Sequence, residues 1–313
     1  MISLIQLEYM LAVDAYRHFA TAADKCFVTQ PTLSMQIKKM EEGLGFLIFD
    51  RSKQPVIPTD AGKAIIEQAR VVVQEFRKIE GLAEELKDTI SGELHIGIIP
   101  TLSAYLLPLF AGPFCRKYPK VALHIQEYET ETIVEFLKKD RLDVGILVTP
   151  LHDPAMKEKP LFYEEIQLYT HQEHPFAAQE PVQLDDIAQP GLWLLSEGHC
   201  FRHQVLNLCA YNRKNEENMP FRFESGSLET LRKLVDAEGG FTLLPELATI
   251  DLPEERQFQV KRFAEPRPLR EVSLVYSRHF AKERLLQLLS NHLQETVPPR
   301  LQDKSRGMVV EWK

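Results

Sequence analysis

The feature that most constrains the fold is a capped, polar-faced helix within the first 45 residues. Thr29 is a favourable N-cap, Pro31 is tolerated in a first helical turn, and Gly45 is a typical terminator. The inward apolar stripe consists of Leu33, Ile37, Met40 and Leu44. An amphipathic helix beginning near Leu4 and a short helix at about 20–26 precede it. This order of elements predicts a helix-turn-helix.

The outer face of the third helix carries short amide and hydroxyl groups that can contact base edges, with amines suited to phosphates. Two short strands, at 47–51 and 55–59, predict a wing behind it. The predicted DNA-binding residues are Gln30, Pro31, Thr32, Ser34, Gln36 and Lys38 on the helix, with Arg51 and Lys53 in the wing. On pattern alone, a solvated helix on a small helical domain remains the alternative.

A longer helix then carries apolar residues at alternating steps of four and three over three heptads, as in a coiled coil. They are Ile65, Ala69, Val72, Phe76, Ile79, Ala83 and Leu86. The seam predicts a homodimer, which would present two copies of the polar-faced helix to double-stranded DNA. The net charge of −8 argues against a nucleic-acid binder, but residues 1–65 contain seven basic and seven acidic side chains and are neutral.

The remainder of the chain alternates between strand and helix patterns, which predicts an α/β domain with a largely parallel sheet. Strands are predicted at 93–99, 121–127, 144–148, 241–244 and 272–276. A helix is predicted from after the Pro100-Thr101 turn to about 118, with further helices at 133–139, 227–237 and 281–293. The tail after Pro298-Pro299 shows no periodicity, so we expect it to be loose.

The composition predicts a cytoplasmic protein with no membrane segment. Four cysteines in 313 residues do not make a secreted disulfide scaffold, and the N-terminus lacks a basic signal-peptide region. Residues 94–115 contain no charged side chain, but three prolines make a strand, turn and helix a better interpretation than a membrane span.

Two of the cysteines lie nine positions apart, at Cys200 and Cys209. Gly198 and the helix formers from Gln204 onwards place Cys200 near a helix start, where free backbone N–H groups stabilise an anion. Basic side chains follow closely, at His199, Arg202 and His203. This environment predicts a thiolate of lowered pKa that reacts with an oxidant.

The spacing of the pair predicts a shape change on oxidation. Nine residues of helix rise about 13.5 Å, whereas a disulfide requires Cα atoms within about 7 Å. If the segment is helical when reduced, a Cys200–Cys209 bond requires it to unwind. Two alternatives stay open: both cysteines are buried hydrophobes, or they form a metal site with His199 and His203.

The first segment resembles the N-terminal signature of LysR-type transcriptional regulators. The residues that carry the resemblance are Phe19, Ala22, Ala23, Gln30, Pro31, Thr32, Leu33, Ser34, Ile37, Met40, Glu41, Leu44, Gly45, Phe49, Asp50, Arg51, Thr59, Asp60, Ala61 and Gly62. One departure is Gln54-Pro55, which stands where the family usually has a basic pair in the wing.

The resemblance implies a fold class: a winged helix-turn-helix domain rich in α-helix, followed by a two-lobed α/β domain like the periplasmic binding proteins. The expected boundaries are 1–60 for DNA binding, 61–90 for the dimerisation helix, 91–300 for the regulatory domain and 301–313 for a loose tail. Lobe one would cover about 91–162 and 268–300, and lobe two about 163–267.

The regulatory region is similar to that of the family's peroxide-sensing members. The matching residues are Ile99, Pro100, Thr101, Tyr105, Leu106, Leu107, Pro108, Glu127, Thr130, Gly198, His199, Cys200, Arg202, Cys209, Ser227, Leu228, Glu229, Thr230, Leu231 and Arg270. This similarity implies hydrogen peroxide as effector, Cys200 as the thiol it attacks and Cys209 as the resolving thiol. It places Thr101, Thr130, His199 and Arg270 in the peroxide pocket, with Arg202 near the reactive thiol.

Further expectations accompany this similarity. It implies no cofactor, no enzymatic role, RNA polymerase as a partner, and a dimer or a dimer of dimers. His203 replaces an acidic residue usual in the family, and Cys26 and Cys115 fall on apolar faces, so we expect both in the core. Two other hypotheses are a regulator that responds to a metabolite bound between the lobes and a thiol peroxidase.

Overall fold

The computed structural model describes residues 2–85, 90–208, 221, 223, 225–278, 280 and 282–311. The helices are α1 Leu4–Tyr16, α2 Phe19–Lys25, α3 Gln30–Leu44, α4 Asp60–Glu85, α5 Pro100–Lys117, α6 Thr130–Lys138, α7 Cys200–Leu208, α8 Leu228–Glu238, α9 Leu247–Ile250, α10 Glu254–Gln257 and α11 Glu283–Thr296. The strands are β1 Phe49–Asp50, β2 Ile57–Pro58, β3 Gly92–Ile98, β4 Val121–Glu127, β5 Val144–Thr149, β6 Met156–Thr170, β7 Leu192–Trp193, β8 Phe241–Pro245, β9 Val260–Lys261, β10 Pro268–Ser277 and β11 Met308–Val309.

The N-terminal helices form the predicted helix-turn-helix. The Thr29 side chain accepts a hydrogen bond from the backbone of Thr32 and caps α3, and Gly45 ends that helix in the left-handed conformation. Strands β1 and β2 pair antiparallel behind it, which confirms the expected wing. The small core beneath these elements includes Met10, Leu33 and Ile37, all fully buried.

Helix α4 uses its predicted apolar seam in two ways. Ala69 is buried in the core beneath the helix-turn-helix, and Ile65 packs against that core. Further along, Val72, Phe76 and Ile79 are 44%, 42% and 63% exposed in the single chain. The side chain of Ala83 and the whole of Leu86 lie outside the described residues. The exposed half of the seam is therefore free, in the single chain, to pack against a second copy of the protein.

Arg70 of α4 connects the helix-turn-helix to the α/β region. Its guanidinium lies 2.9 Å from Asp14 of α1 and 3.0 Å from Asp140, which follows α6. Gln74, one turn further along, donates to the same Asp140 carboxylate at 2.9 Å. Because all four side chains are largely buried, these bonds are screened less by solvent than surface pairs are.

The α/β region is a nine-stranded sheet in the order β4-β3-β5-β10-β6-β8-β7, with β11 on β10 and β9 on β6. Strands β4 and β5 pair parallel with β3, as predicted, but β10 runs antiparallel to β5 and β6, and β6 runs antiparallel to β8. Strand β6 pairs with β10 over its first part and with β8 from Ile166 onwards, so it crosses between two hydrophobic cores. We call the part around β3–β5 lobe one and the part around β8 lobe two.

The C-terminal tail departs from the expectation of a loose segment. Residues 308–309 add a parallel strand to β10, and Arg306 lies 2.7 Å from Glu165 and 2.8 Å from Glu246. Both carboxylates are buried, so they would cost free energy without cationic partners. Long-range ion pairs therefore order the tail, which a local periodicity does not reveal.

Strand β6, the longest of the described strands, was not predicted from the sequence. Among the described helices, none is both long and apolar enough to cross a lipid bilayer.

Candidate functional site

Cys200 occupies the first position of α7, as the sequence predicted. The turn before it depends on Gly198, whose φ of +93° favours glycine. A Cβ at this position would also lie 2.8 Å from a Glu129 carboxylate oxygen. The close approach of Glu129 and the left-handed backbone together explain why glycine precedes His199-Cys200.

The start of α7 lies at the junction of the two lobes. The Cys200 side chain is 3% exposed and belongs to the core of lobe one. Its neighbour Phe201 is 1% exposed and belongs to the core of lobe two. Any movement of this helix start therefore disturbs the packing of both lobes.

Arg270 of β10 is the charged group that faces this junction, and it is fully buried. Its Nε donates to Glu164 at 2.7 Å, and its two Nη atoms donate to the hydroxyl and the backbone carbonyl of Thr101 at 3.2 and 3.1 Å. The guanidinium also stands 5.2 Å from the centre of the Phe201 ring. One cation thus ties β10 to β6, to the start of α5 and to α7.

Glu164 also belongs to this candidate site, although it was not predicted from the sequence. It is fully buried in β6, where it pairs with Arg270 and accepts the Leu247 amide at 2.9 Å. Burial raises the pKa of Glu164, and Arg270 acts against that rise. A signal was present, because Glu164-Glu165 stand between the apolar residues Phe162 and Ile166, and buried carboxylates require partners.

The predicted lowering of the Cys200 pKa is wrong for this structure. Burial raises the pKa of the Cys200 thiol, while Arg270, the Thr130 hydroxyl and the first amides of α7 favour the thiolate without outweighing it. The amides at the helix start favour the thiolate, as expected. The sequence could not reveal how completely the sulfur is desolvated.

The basic residues beside Cys200 in the sequence contribute less than expected. Arg202 turns away and donates to the Leu195 carbonyl at 2.7 Å, and His203 is exposed. Burial lowers the pKa of His199, with Glu129 opposing it, so the ring favours its neutral form. The cation that faces the thiol comes instead from Arg270, seventy positions along the chain.

Thr130 supplies a hydroxyl group with unused hydrogen-bonding capacity. It begins α6, is 3% exposed, and lies near enough to the Cys200 sulfur to favour its thiolate. No described residue makes a full hydrogen bond to its Oγ1. A buried hydroxyl without a partner is uncommon and suggests a place for a small polar molecule.

The structure thus brings Thr101, Thr130, His199 and Arg270 to the junction near Cys200, whereas Arg202 is directed elsewhere. Cys209 lies outside the described residues, so the structure does not describe the pair. Of the other cysteines, Cys26 is half-buried, but Cys115 is exposed, contrary to the expected core position.

The predicted DNA-binding face is only partly free. Gln30, Pro31, Lys38 and Lys53 are exposed, and Thr32, Ser34 and Gln36 are half-exposed. The Gln36 side-chain oxygen accepts from Gln6 at 3.2 Å. Arg51 lies 3.0 Å from the buried carboxylate of Glu41 and donates to Ser34 at 3.1 Å. Arg51 therefore orients the wing against α3 as well as facing outward.

This combination of a helix-turn-helix and a two-lobed α/β domain defines a class of bacterial regulators. Residues 4–63 match the family described as bacterial regulatory helix-turn-helix protein, lysR family, and residues 87–298 match the LysR substrate binding domain. The chain belongs to the LysR family.

Within that family, the chain is similar to peroxide-responsive regulators. It is 39% identical over 273 residues to the hydrogen peroxide-inducible genes activator of Pectobacterium carotovorum, covering 86% of this chain and 88% of that protein. A full-length OxyR variant from Pseudomonas aeruginosa superposes with a TM-score of 0.79 at 32% identity, over 95% of this chain and 99% of that one. A hydrogen-peroxide-bound OxyR mutant from Corynebacterium glutamicum gives 0.59 at 29% identity, over 95% and 92%.

The raised pKa of the Cys200 thiol predicts a pH dependence. The fold favours the neutral thiol, so this contribution to stability is present below the unfolded pKa of about 8.5 and is lost as pH rises through the higher folded value. We expect the alkylation rate of Cys200 to keep rising beyond about pH 8.5. Iodoacetamide labelling read by peptide mass spectrometry measures it, with exposed Cys115 as internal reference. A plateau for Cys200 at neutral pH would contradict the burial argument.

Proposed function

We propose that this chain is a DNA-binding transcriptional regulator that senses hydrogen peroxide through Cys200. One observation carries the proposal: a buried thiol at a helix start, facing a buried arginine and a buried threonine hydroxyl that lacks a full hydrogen bond. Its relatives are named as hydrogen peroxide-inducible activators and as OxyR, which supports the proposal. The metabolite hypothesis receives less support, since Arg270 is occupied by Glu164 and Thr101.

The proposed first step oxidises the sulfur. The Cys200 thiolate attacks one oxygen of hydrogen peroxide, an S–O bond forms as the O–O bond breaks, and Cys200 becomes a sulfenic acid. The second oxygen leaves as hydroxide and takes up the proton released by the thiol, giving water. Arg270 favours the thiolate electrostatically, and the Thr130 hydroxyl can donate to a peroxide oxygen.

The proposed second step joins two sulfurs. The Cys209 thiol attacks the Cys200 sulfenic acid, a disulfide forms and water leaves. From Cys200 to Leu208 the described helix rises about 12 Å, and one further residue spans at most about 3.8 Å. A disulfide needs Cα atoms within about 7 Å. Bonding to the residue after Leu208 therefore requires α7 to unwind.

The DNA-binding half of the proposal rests on α3. We propose that Gln30, Thr32 and Ser34 reach base edges while Lys38 and Lys53 contact phosphates. The exposed apolar residues of α4 support a homodimer, and a dimer of dimers and contact with RNA polymerase remain parts of the same proposal.

A regulator with this helix-turn-helix has no evident use for sustained peroxide turnover, so we do not assign an enzymatic role.

The domain boundaries are part of the proposal as well. We place DNA binding in residues 1–60, the dimerisation helix in 61–90 and the regulatory domain in 91–300. The ordered tail joins the regulatory domain through its strand on β10.

Replacing Thr130 with valine tests the peroxide pocket directly. The change keeps the side-chain shape and removes a hydroxyl that lacks a full hydrogen bond, so the fold should not lose stability. We expect the second-order rate of Cys200 oxidation by peroxide to fall by about tenfold to a hundredfold. Sulfenic acid trapping with dimedone measures that rate.

Thr132→Val on the same helix is the matched control, since Thr132 is half-exposed and is not among the residues that shift the Cys200 pKa. We expect it to oxidise like the unchanged protein. Oxidation of the Thr130→Val variant at the unchanged rate would remove Thr130 from the pocket.

The ordered tail also bears on the proposed switch, because it holds α7. Gln204, which is fully buried, donates to the Val310 carbonyl at 2.9 Å, and Asn207 donates to the Glu311 carbonyl at 2.9 Å. Val310 in turn donates its amide to Leu269, the residue before Arg270. Unwinding α7 would break both side-chain bonds, so the tail should oppose oxidation.

Removing those bonds should favour the disulfide form. In the Gln204→Leu, Asn207→Ala double variant we expect the thiol–disulfide equilibrium constant to shift towards the disulfide by about tenfold, the value of two ordinary hydrogen bonds. Equilibration in glutathione buffers measures this constant. Gln189→Ala, which removes an exposed side chain bonded elsewhere in lobe two, should leave it unchanged. An unaltered constant in the double variant would show that the tail does not restrain α7.

A further inference from the structure

Three side chains with metal-binding chemistry lie on one face of lobe one, apart from the site described above. In the parallel pairing of β3 with β4, His95 stands directly opposite His124. Glu93 precedes His95 by two residues, and residues two apart in a strand point to the same face. All three side chains are exposed, so none contributes to the core.

The distances among their ligand atoms are close to those around a bound ion. The Glu93 carboxylate lies 3.9 Å from Nε2 of His95 and 3.7 Å from Nε2 of His124, and all three ligand atoms fall within 4.8 Å of one another. The two imidazole rings stack with centroids 4.6 Å apart. Around tetrahedral zinc, bonds of about 2.0–2.2 Å place neighbouring ligand atoms about 3.3–3.5 Å apart. Small side-chain rotations would bring the three ligand atoms to the separations found around zinc.

We propose that Glu93, His95 and His124 form a binding site for a divalent transition-metal ion such as zinc. Two imidazoles and one carboxylate suit zinc, nickel or copper, whereas calcium and magnesium prefer oxygen ligands alone. Three protein ligands leave a position open for water or another ligand. The ion would connect adjacent strands of the sheet in lobe one.

The surroundings of the site are compatible with a cation. Lys282 donates to the Glu93 carbonyl and lies 2.8 Å from Asp143, whose carboxylate compensates the lysine charge. The same Asp143 carboxylate accepts the His95 amide at 2.8 Å and so fixes the backbone of that ligand. The competing interpretation is a simple ion pair between Glu93 and a protonated histidine, which would bind no metal.

The zinc stoichiometry of the full-length reduced protein distinguishes a metal site from a simple ion pair. The protein is dialysed to equilibrium against micromolar zinc chloride, and bound zinc is measured by atomic emission. Because cysteine thiols also bind zinc, the informative quantity is the difference between variants. We expect His95→Gln and His124→Gln each to lose one equivalent, or to bind it at least tenfold more weakly, and Glu93→Gln to bind it more weakly.

His152→Gln is the matched control, since His152 is exposed and lies 3.7 Å from a single carboxylate, Glu311, outside the cluster. It should bind as much zinc as the unchanged protein. All four substitutions are at exposed side chains, and circular dichroism checks the fold. Equal zinc content in every protein, or an equal loss in the His152→Gln variant, would overturn the proposed site.

Discussion

Arg270 and Glu164 form an ion pair from which solvent is excluded, and the arrangement of the site depends on it. Both side chains are 0% exposed and lie 2.7 Å apart. Breaking such a pair by removing one partner costs about 3–5 kcal/mol, because the other charge stays buried alone. The remaining donors of Arg270 hold Thr101, so the pair also fixes the start of α5.

The same pair bears on the proposed reaction of the buried Cys200 thiol. Burial raises the pKa of this thiol and so favours its neutral form in the resting fold. Arg270 is nevertheless the group that most favours the thiolate, and it can do so in a medium where charges are poorly screened. The start of α7 contacts both cores through Cys200 and Phe201, so a chemical change at one sulfur alters the packing of two lobes. Arg70, bound to Asp14 and Asp140, offers a physical connection from lobe one to the helix-turn-helix.

Local signals in the sequence predicted where several helices and turns begin. The Thr29 cap located the start of α3, and Gly198 located the turn before α7, because these residues act through their own backbone and nearest neighbours. Features that depend on tertiary contacts were not predicted, or were predicted wrongly. The direction of the Cys200 pKa depends on desolvation by distant residues, and the order of the tail depends on Arg306 meeting two buried carboxylates.

We propose that peroxide joins Cys200 to Cys209 and that α7 must unwind for this bond to form. Hydrogen–deuterium exchange of the peptide covering residues 200–208, with disulfides mapped in the same samples, tests it directly. We expect stoichiometric peroxide to form the disulfide, and the α7 amides to lose their protection from exchange as it forms. Free thiols in a protein that still responds to peroxide, or a disulfide formed with α7 protection unchanged, would contradict it.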